Sequence, residues 1–262
     1  MGLTMSSYQT LRLRQEGSVL YLQIYRPEAS NTINEAFAIE CRAVIREFRD
    51  RINILVVEGL PEVFCFGADL QAIERGNIAG NGSGGRPQDP EILYSVWQDM
   101  MNGPYISLAH VKGKANAGGL GFVAASDIVI ANSQALFSLS EMLFGLLPAC
   151  VLPFLINKIG KQKAHYMTLM TKPVSAEQAH RWGLVDDYGD NSDLLLKKHL
   201  QRLSCLSKQA IVRYKSYLAE LDTRVGDQKA TALAMNVQIF SDRDNIEKIT
   251  RYIQTGKYPW EA

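Results

Sequence analysis

Residues 111–160 read VKGKANAGGLGFVAASDIVIANSQALFSLSEMLFGLLPACVLPFLINKIG. A turn of small residues, Ala115-Asn116-Ala117-Gly118-Gly119, opens an apolar segment that runs to Ser126-Asp127. A short apolar run follows, Ile128 to Ala131, and then a lone acid, Glu141, in otherwise uncharged surroundings. Glycine lacks a Cβ, so a ligand can approach the main chain at Gly118 and Gly119. A helix starting at Gly118 would turn its free N–H groups and its dipole toward whatever negative charge sits there. Amides fixed in that way can hold an enolate oxygen. The stretch therefore predicts an oxyanion site, with Glu141 as its proton-transfer partner. Glu141 lies among Phe137, Leu139, Met142, Leu143 and Phe144, and a carboxylate in apolar surroundings has a raised pKa that suits proton transfer near neutrality. A solvated Glu on an exposed turn is the alternative.

A second turn of the same kind lies upstream, in Pro61-Glu62-Val63-Phe64-Cys65-Phe66-Gly67-Ala68-Asp69-Leu70. Gly67-Ala68 again permits close approach to the backbone. Read locally, it is a tight strand-to-helix turn capped by Asp69. Two such turns, at Ala68 and at Gly118, can donate two N–H groups to one carbonyl oxygen.

Around these turns the chain alternates strand and helix. Tyr8 to Gln15 and Val19 to Tyr25 read as a hairpin about Glu16-Gly17-Ser18. Asn34 caps a helix on which Phe37, Cys41, Val44, Ile45 and Phe48 recur at helical spacing. Ile54 to Val57 and Tyr105 to Val111 are buried strands, and Glu91 to Met101 is helical. Residues 76–90, GNIAGNGSGGRPQDP, predict a mobile loop, since neither a GxGxxG nor a Walker pattern fits. The last third is nearly all helical: Lys161 to Met170, a helix opened by Ser175, an extended piece at Leu184-Val185-Asp186, then Ser192 to Arg202, Lys208 to Glu220, Thr223 to Ser241 and Asp244 to Thr255. Such a tail packs on its own core or on a neighbouring subunit. The pattern implies an α/β core of repeated ββα-type units.

Composition excludes several classes. The chain has 262 residues, 47% of them hydrophobic, which supports one large core rather than disorder. A formal net charge of +1 gives no support to nucleic-acid or anionic-membrane binding. No apolar run is long enough to cross a bilayer, and MGLTMSSYQTLRLRQEG lacks a signal core, so a bacterial-type cytoplasmic enzyme is expected. Cys41, Cys65, Cys150 and Cys205 are scattered, which predicts buried free thiols and no metal. His110, His165, His180 and His199 do not cluster; surface roles are expected for the last three, and no GxSxG elbow supports a Ser-His-Asp triad. Lys158, Lys161 and Lys163 read as a solvated basic face.

At these residues the sequence resembles the crotonase (enoyl-CoA hydratase/isomerase) superfamily. The resemblance rests on Arg26-Pro27, Phe64 to Asp69, Gly113 to Asp127, Phe137 to Pro148 and Ala179 to Val185. It implies a crotonase-like ββα-repeat spiral core over residues 1–190 carrying an acyl-thioester site. A helical region over 191–262 then serves oligomerisation or covers the site. It also implies a homotrimer or dimer of trimers. No cofactor is expected; the substrate rides on the phosphopantetheine of an acyl carrier protein or coenzyme A. By position the family's oxyanion hole falls on the N–H groups of Ala68 and Gly118, and its second catalytic glutamate on Glu141. Arg26 and Phe66 join those two amides as residues expected to contact the thioester arm. The family's first glutamate falls on Gly121, its triple glycine is Ala117-Gly118-Gly119 after an unusual Asn116, and its proline before the second glutamate is Ser140.

Within the superfamily, PEVFCFGAD, NAGGLGFV, FSLSEMLFGLLPACVLPFLI, GKQKAHYMTLMTKP and GKYPWE are similar to the dehydratases of polyketide β-branching cassettes. These remove water from 3-hydroxy-3-methylglutaryl on an acyl carrier protein, and a sister enzyme decarboxylates the product. The same chemistry is the expectation here. Glu141 would take the C2 proton. Glu141 itself, Asp69, a water held by Asn116 or the substrate's own carboxylate would protonate the leaving hydroxyl. Arg86 or Tyr94 would hold the distal carboxylate. The alternatives are a hydratase, isomerase or decarboxylase of another acyl thioester, and a non-catalytic thioester-binding subunit.

Overall fold

The computed structural model describes residues 3–5, 8–71 and 89–261. The loop expected from residue 76, with Arg86 in it, lies outside the described residues as far as 88. Asp89 caps the helix that follows by accepting from the Glu91 N–H.

The expected hairpin forms from β2 (Leu11–Glu16) and β3 (Val19–Ile24), which pair antiparallel, with β1 (Leu3–Met5) added outside β2. Gly17 turns it at φ +58°. Helix α1 (Glu35–Phe48) opens on Asn34, whose side chain accepts from the Phe37 N–H, and it buries the apolar stripe read from its spacing. From there the chain repeats one unit. Strand β4 (Ile54–Glu58) is followed by β5 (Val63–Cys65); after helix α2 (Pro90–Asn102) come β6 (Ile106–Val111), β7 (Lys114–Asn116) and helix α3 (Gly118–Ala125). Then β8 (Ile128–Asn132), β9 (Leu136–Ser138), a 3-10 turn at Glu141–Phe144, and helices α4 (Leu152–Ile159) and α5 (Lys161–Met170).

The first strand of each unit joins one sheet and the second joins another. The larger sheet runs β1-β2-β3-β4-β6-β8-β11, parallel from β3 onward, with β11 at Asp187–Gly189. The smaller runs β10-β9-β7-β5, with β10 at Val174–Ser175 antiparallel to β9. Strands β5, β7 and β9 are parallel neighbours, so their C-terminal ends emerge side by side. The ββα reading therefore holds. The extended piece expected at 184–186 is displaced to 187–189, because the Asp186 carboxylate instead accepts the Val129 N–H as a cap on β8.

Phe37, Trp97, Phe122 and Phe154 are buried at the centre, with edge-to-face contacts between Trp97 and each of Phe122 and Phe154. Helix α6 (Ala176–Arg181) is capped by Ser175 as expected. Helix α7 (Ser192–Leu203) covers the outer face of the larger sheet through Leu196, against Tyr21, Ile54, Val56 and Leu108. Helix α8 (Lys208–Leu221) is held by a buried ion pair. The Lys215 ammonium lies 2.5 and 2.6 Å from the two Asp127 oxygens, and Asp127 also takes the Ser107 N–H and hydroxyl. Lys158, expected on a solvated face, instead donates to the Ser126 and Asp127 carbonyls, because the end of α3 leaves those acceptors without helical donors. The helix expected over 223–241 divides into α9 (Arg224–Asp227) and α10 (Lys229–Phe240). Helix α11 (Arg243–Thr255) is the last helix.

Removing Lys215 leaves the Asp127 charge uncompensated at a half-buried position. We expect Lys215→Met to cost about 3 kcal/mol of unfolding free energy, on the scale of breaking a buried pair. Urea denaturation measures it, and a loss under about 1 kcal/mol would show that the pair is not what docks α8.

Candidate active site

The three short strands of the smaller sheet deliver the site. Beyond β5 the chain turns at Gly67, φ +91°; beyond β7 it turns at Ala117, φ +49° and ψ −123°; beyond β9 it enters the turn that carries Glu141. A Cβ on Gly67 would fall 2.6 Å from the Ala117 Cβ and 3.4 Å from the Gly118 nitrogen, so only glycine fits there and the two turns touch. A Cβ on Gly118 would stand 3.9 Å from the Gly67 Cα.

The amides of Ala68 and Gly118 are left available by ordinary backbone rules. Ala68 bridges Ile33 in parallel, and the ladder bonds run through its neighbours: the Ile33 N–H donates to the Gly67 carbonyl and the Asp69 N–H donates to the Ile33 carbonyl. The Ala68 N–H therefore faces away from Ile33. Gly118 is the first residue of α3, where N–H groups lack helical acceptors. The structure thus brings together the two amides that the sequence placed fifty residues apart. The helix dipole adds a partial positive charge on the Gly118 side.

Glu141 is buried, with 9% of its surface exposed, so the solvated alternative is set aside. Its Oε2 is buried without a hydrogen-bond partner. Burial pushes its carboxyl up to about 7, against a weaker downward pull from the backbone N–H groups of Glu141 and Ser140. Phe144, the last residue of the same 3-10 turn, joins an apolar cluster with the C-terminal end of the chain. Phe144 packs edge-on against Tyr252 at 5.0 Å and tilted against Tyr258 at 6.0 Å, with Leu146 and Ile249 beside it. A carboxyl held in this way exchanges a proton near neutral pH.

The other expected residues fall as follows. Asp69 is buried and its carboxylate meets the Arg26 guanidinium at 3.1 Å. Arg26 also donates to the Thr32 carbonyl and hydroxyl, so its head is engaged with the protein next to Ala68 rather than left open to a ligand. Phe66 is half exposed, and its carbonyl accepts from Asn116. Asn116 is tied into the protein through both ends of its amide. Its amide donates to Phe66 and to the Ser140 hydroxyl, and its oxygen accepts from the Ser138 hydroxyl. Tyr94 cannot hold a distal carboxylate: it is buried, and its hydroxyl donates to the Val225 carbonyl at 2.7 Å.

Gly121 explains itself through a residue the sequence reading missed. A Cβ there would lie 2.3 Å from the Trp97 ring, so the indole already fills the space of any side chain at 121. The Trp97 Nε1 is the other buried side-chain atom without a partner among the described residues. Only a helical spacing of Tyr94, Trp97 and Met101 hinted that Trp97 points inward. Ser138 and Ser140 were also missed as partners of Asn116.

The histidines stay outside this site. His110 is buried between Glu58 and Ser192, at 3.0 Å from each, but Ser192 is itself buried, and the chain of bonds ties α7 to the larger sheet. His165, His180 and His199 are on or near the surface, as expected. Cys41, Cys65 and Cys150 are buried free thiols, whereas Cys205 is exposed. Among the described residues no group of His, Cys, Asp and Glu is arranged to hold a metal, and no helix is long and apolar enough to cross a membrane.

Comparison with known proteins places the chain in a family. Residues 14–262 match the enoyl-CoA hydratase/isomerase family. The bacillaene synthase dehydratase PksH of Bacillus subtilis is 52% identical over 256 residues, covering 97% of this chain and 98% of that protein. A crystal structure of the Bacillus subtilis polyketide biosynthesis enoyl-CoA hydratase pksH superposes with a TM-score of 0.93 at 51% identity, covering 97% of this chain and all of that one. The mevalonyl-coenzyme A hydratase sidH of Aspergillus fumigatus is 32% identical over 180 residues, 68% of this chain and 65% of that protein. The sequence segments, the two-sheet ββα architecture and these likenesses agree: the chain belongs to the enoyl-CoA hydratase/isomerase family, as an enzyme of the hydro-lyase kind.

Proposed function

We propose that this enzyme dehydrates 3-hydroxy-3-methylglutaryl on an acyl carrier protein to 3-methylglutaconyl, within polyketide biosynthesis. The carrying observation is the buried, unpartnered Oε2 of Glu141, on a turn that Ser140 ties to Asn116 where the two amide-bearing turns touch. The likeness to a dehydratase of a polyketide synthase supports the reaction class. The weaker likeness to a mevalonyl hydratase supports a substrate whose third carbon bears both a hydroxyl and a methyl.

The thioester carbonyl oxygen sits between the N–H groups of Ala68 and Gly118, which lowers the cost of an enolate. Glu141 takes the C2 proton, the C2=C3 bond forms as the C3–O bond breaks, and the same carboxyl returns its proton to the departing hydroxyl. Water leaves and Glu141 is a carboxylate again. One acid serves both steps because the indole of Trp97 fills the place of a second. Asp69, braced by Arg26, a water held by Asn116 and the substrate's own carboxylate are the alternative donors for the second transfer. In this reading the phosphopantetheine arm of the carrier protein enters past Phe66. The enzyme works as a homotrimer or a dimer of trimers, and a sister decarboxylase consumes the product.

Mass spectrometry of carrier-bound hydroxymethylglutaryl incubated with the enzyme tests the reading. Loss of water without carbon dioxide is the expected result; loss of carbon dioxide would assign the sister reaction, and binding without turnover a non-catalytic subunit. Glu141→Gln is expected to lower kcat by about 10²-fold or more. In the wild type, kcat/KM should rise with pH through about 7 as the carboxylate forms, and that limb should vanish in the variant.

Stability should move the opposite way. The folded-state pKa of Glu141 lies above its unfolded value of 4.5, so its stabilising contribution is full below 4.5 and lost as pH rises through about 7. Above pH 7 the wild type should therefore forgo roughly 3 kcal/mol that Glu141→Gln retains. Thermal melts at pH 5 and pH 8 compare the two; an equal difference at both would place the carboxyl in contact with water.

Gly121→Glu offers a third check. Its side chain has to displace the Trp97 ring, so overpacking by about 1–3 kcal/mol and reduced turnover are expected rather than a gain of a second acid. Higher turnover in this variant would refute the one-acid mechanism.

A further inference from the structure

We propose that Asn116, with Ser138 and Ser140, is a positioning unit that sets the Glu141 carboxyl against the two amide-bearing turns. The inference rests on the reading of Glu141 as the proton-transfer group. Asn116 is the last residue of β7, the middle one of the three parallel strands whose ends form the site. It is buried, with 6% exposed. Its Nδ2 donates at 3.3 Å to the Phe66 carbonyl, at the end of the strand on one side. The same nitrogen donates at 3.0 Å to the Ser140 Oγ, at the end of the strand on the other. Its Oδ1 accepts from the Ser138 Oγ at 2.8 Å. The Ser138 carbonyl in turn accepts the Ala117 N–H at 3.0 Å.

Each partner is adjacent to a group that does chemistry. Phe66 precedes the Gly67-Ala68 peptide, so the bond to its carbonyl fixes the Phe66–Gly67 plane, one residue before the Ala68 amide. Ala117 precedes Gly118. Ser140 precedes Glu141 and caps its 3-10 turn by position, though not through its own side chain. The Ser140 and Glu141 N–H groups are also those that pull on the Glu141 carboxyl. One carboxamide therefore spans three chain ends that local secondary structure would leave independent. No serine, aspartate or leucine at 116 can do the same, because two donors and one acceptor are required at once. The turns it joins are strained or loose by themselves. Ala117 occupies a positive φ that is costly for a residue with a Cβ, and the 3-10 turn is only four residues long.

The test uses the full-length protein and three variants: Asn116→Ala, Ser140→Ala and Ser140→Thr. The expected loss in kcat is about 10²-fold for Asn116→Ala and about 10-fold for Ser140→Ala, the scale of a reacting group displaced by about 1 Å, with KM changed less than about two-fold. Ser140→Thr keeps the hydroxyl and should recover most of the activity. Asn116→Ala/Ser140→Ala should be no worse than Asn116→Ala alone, since the bond that Ser140→Ala removes is already lost with Asn116. The titration of Glu141, followed by its carboxyl infrared band, should shift in the two alanine variants and return in Ser140→Thr. Lys248 beside Gly145, and the Arg26–Asp69 pair beside Ala68, are unchanged in all of them.

A merely structural tie would lower the melting temperature while leaving kcat per folded molecule and the Glu141 titration where they are, and that result would overturn the proposal. If the wild type turns over no hydroxymethylglutaryl carrier, the functional reading fails. The infrared titration then still decides the positioning unit by itself.

Discussion

The parallel alignment of three short strands, β5, β7 and β9, is the constraint on which the rest of this structure depends. In parallel strands all C-terminal ends lie at the same edge, so the segments that leave them start side by side. Here those segments carry Ala68, Gly118 and Glu141. Each strand is only three residues long, so the smaller sheet has little stability of its own. It is held because every strand is preceded by a longer one in the larger sheet, through β4, β6 and β8. The larger sheet is thus the rigid frame, and the smaller sheet converts its regular spacing into convergence of groups remote in sequence.

A second layer of the design is the dryness of the acid. A glutamate in water has an ordinary pKa and is a weak base toward a carbon acid. Glu141 is 9% exposed, and Phe144 of the same 3-10 turn packs in an apolar cluster with Ile249, Tyr252 and Tyr258 from the end of the chain. The far C-terminus therefore packs against the turn that carries the acid, in a site formed in the middle of the sequence. Keeping a carboxyl there weakens the fold near neutral pH, and the aromatic contacts around Phe144 help offset that cost. An enzyme that needs a proton acceptor at C2 and a proton donor at the hydroxyl gains from a carboxyl that exists in both forms.

How far this was legible in the sequence depends on the range of each interaction. Gly118, Ala68 and Glu141 stand out because a small-residue turn, or an acid in an apolar run, is visible within ten residues. The capping of α1 by Asn34 and of α6 by Ser175 is legible for the same reason. Strands of two or three residues are not, since alternation needs more positions to register. The bonds that tie Asn116 are not legible locally because its partners lie 50, 24 and 22 positions away. Tyr94 and Lys158 look like ligand-facing or solvated groups until the helices packed over them are placed; then each is seen to satisfy a backbone carbonyl. The crotonase resemblance supplied what local patterns could not, namely that the two turns meet.

Gly121 shows the limit of transferring a family's residues by position. An absent acid suggests lost catalysis if the position is considered alone. With Trp97 lying where a side chain would be, the same glycine becomes a requirement of packing: any Cβ meets the ring at 2.3 Å. The two features are one choice, because glycine without the indole would leave a cavity and the indole without glycine would not fit. Addition and removal of water pass through one transition state, so a single acid at Glu141 decides how the proton travels in both directions, not which direction is run.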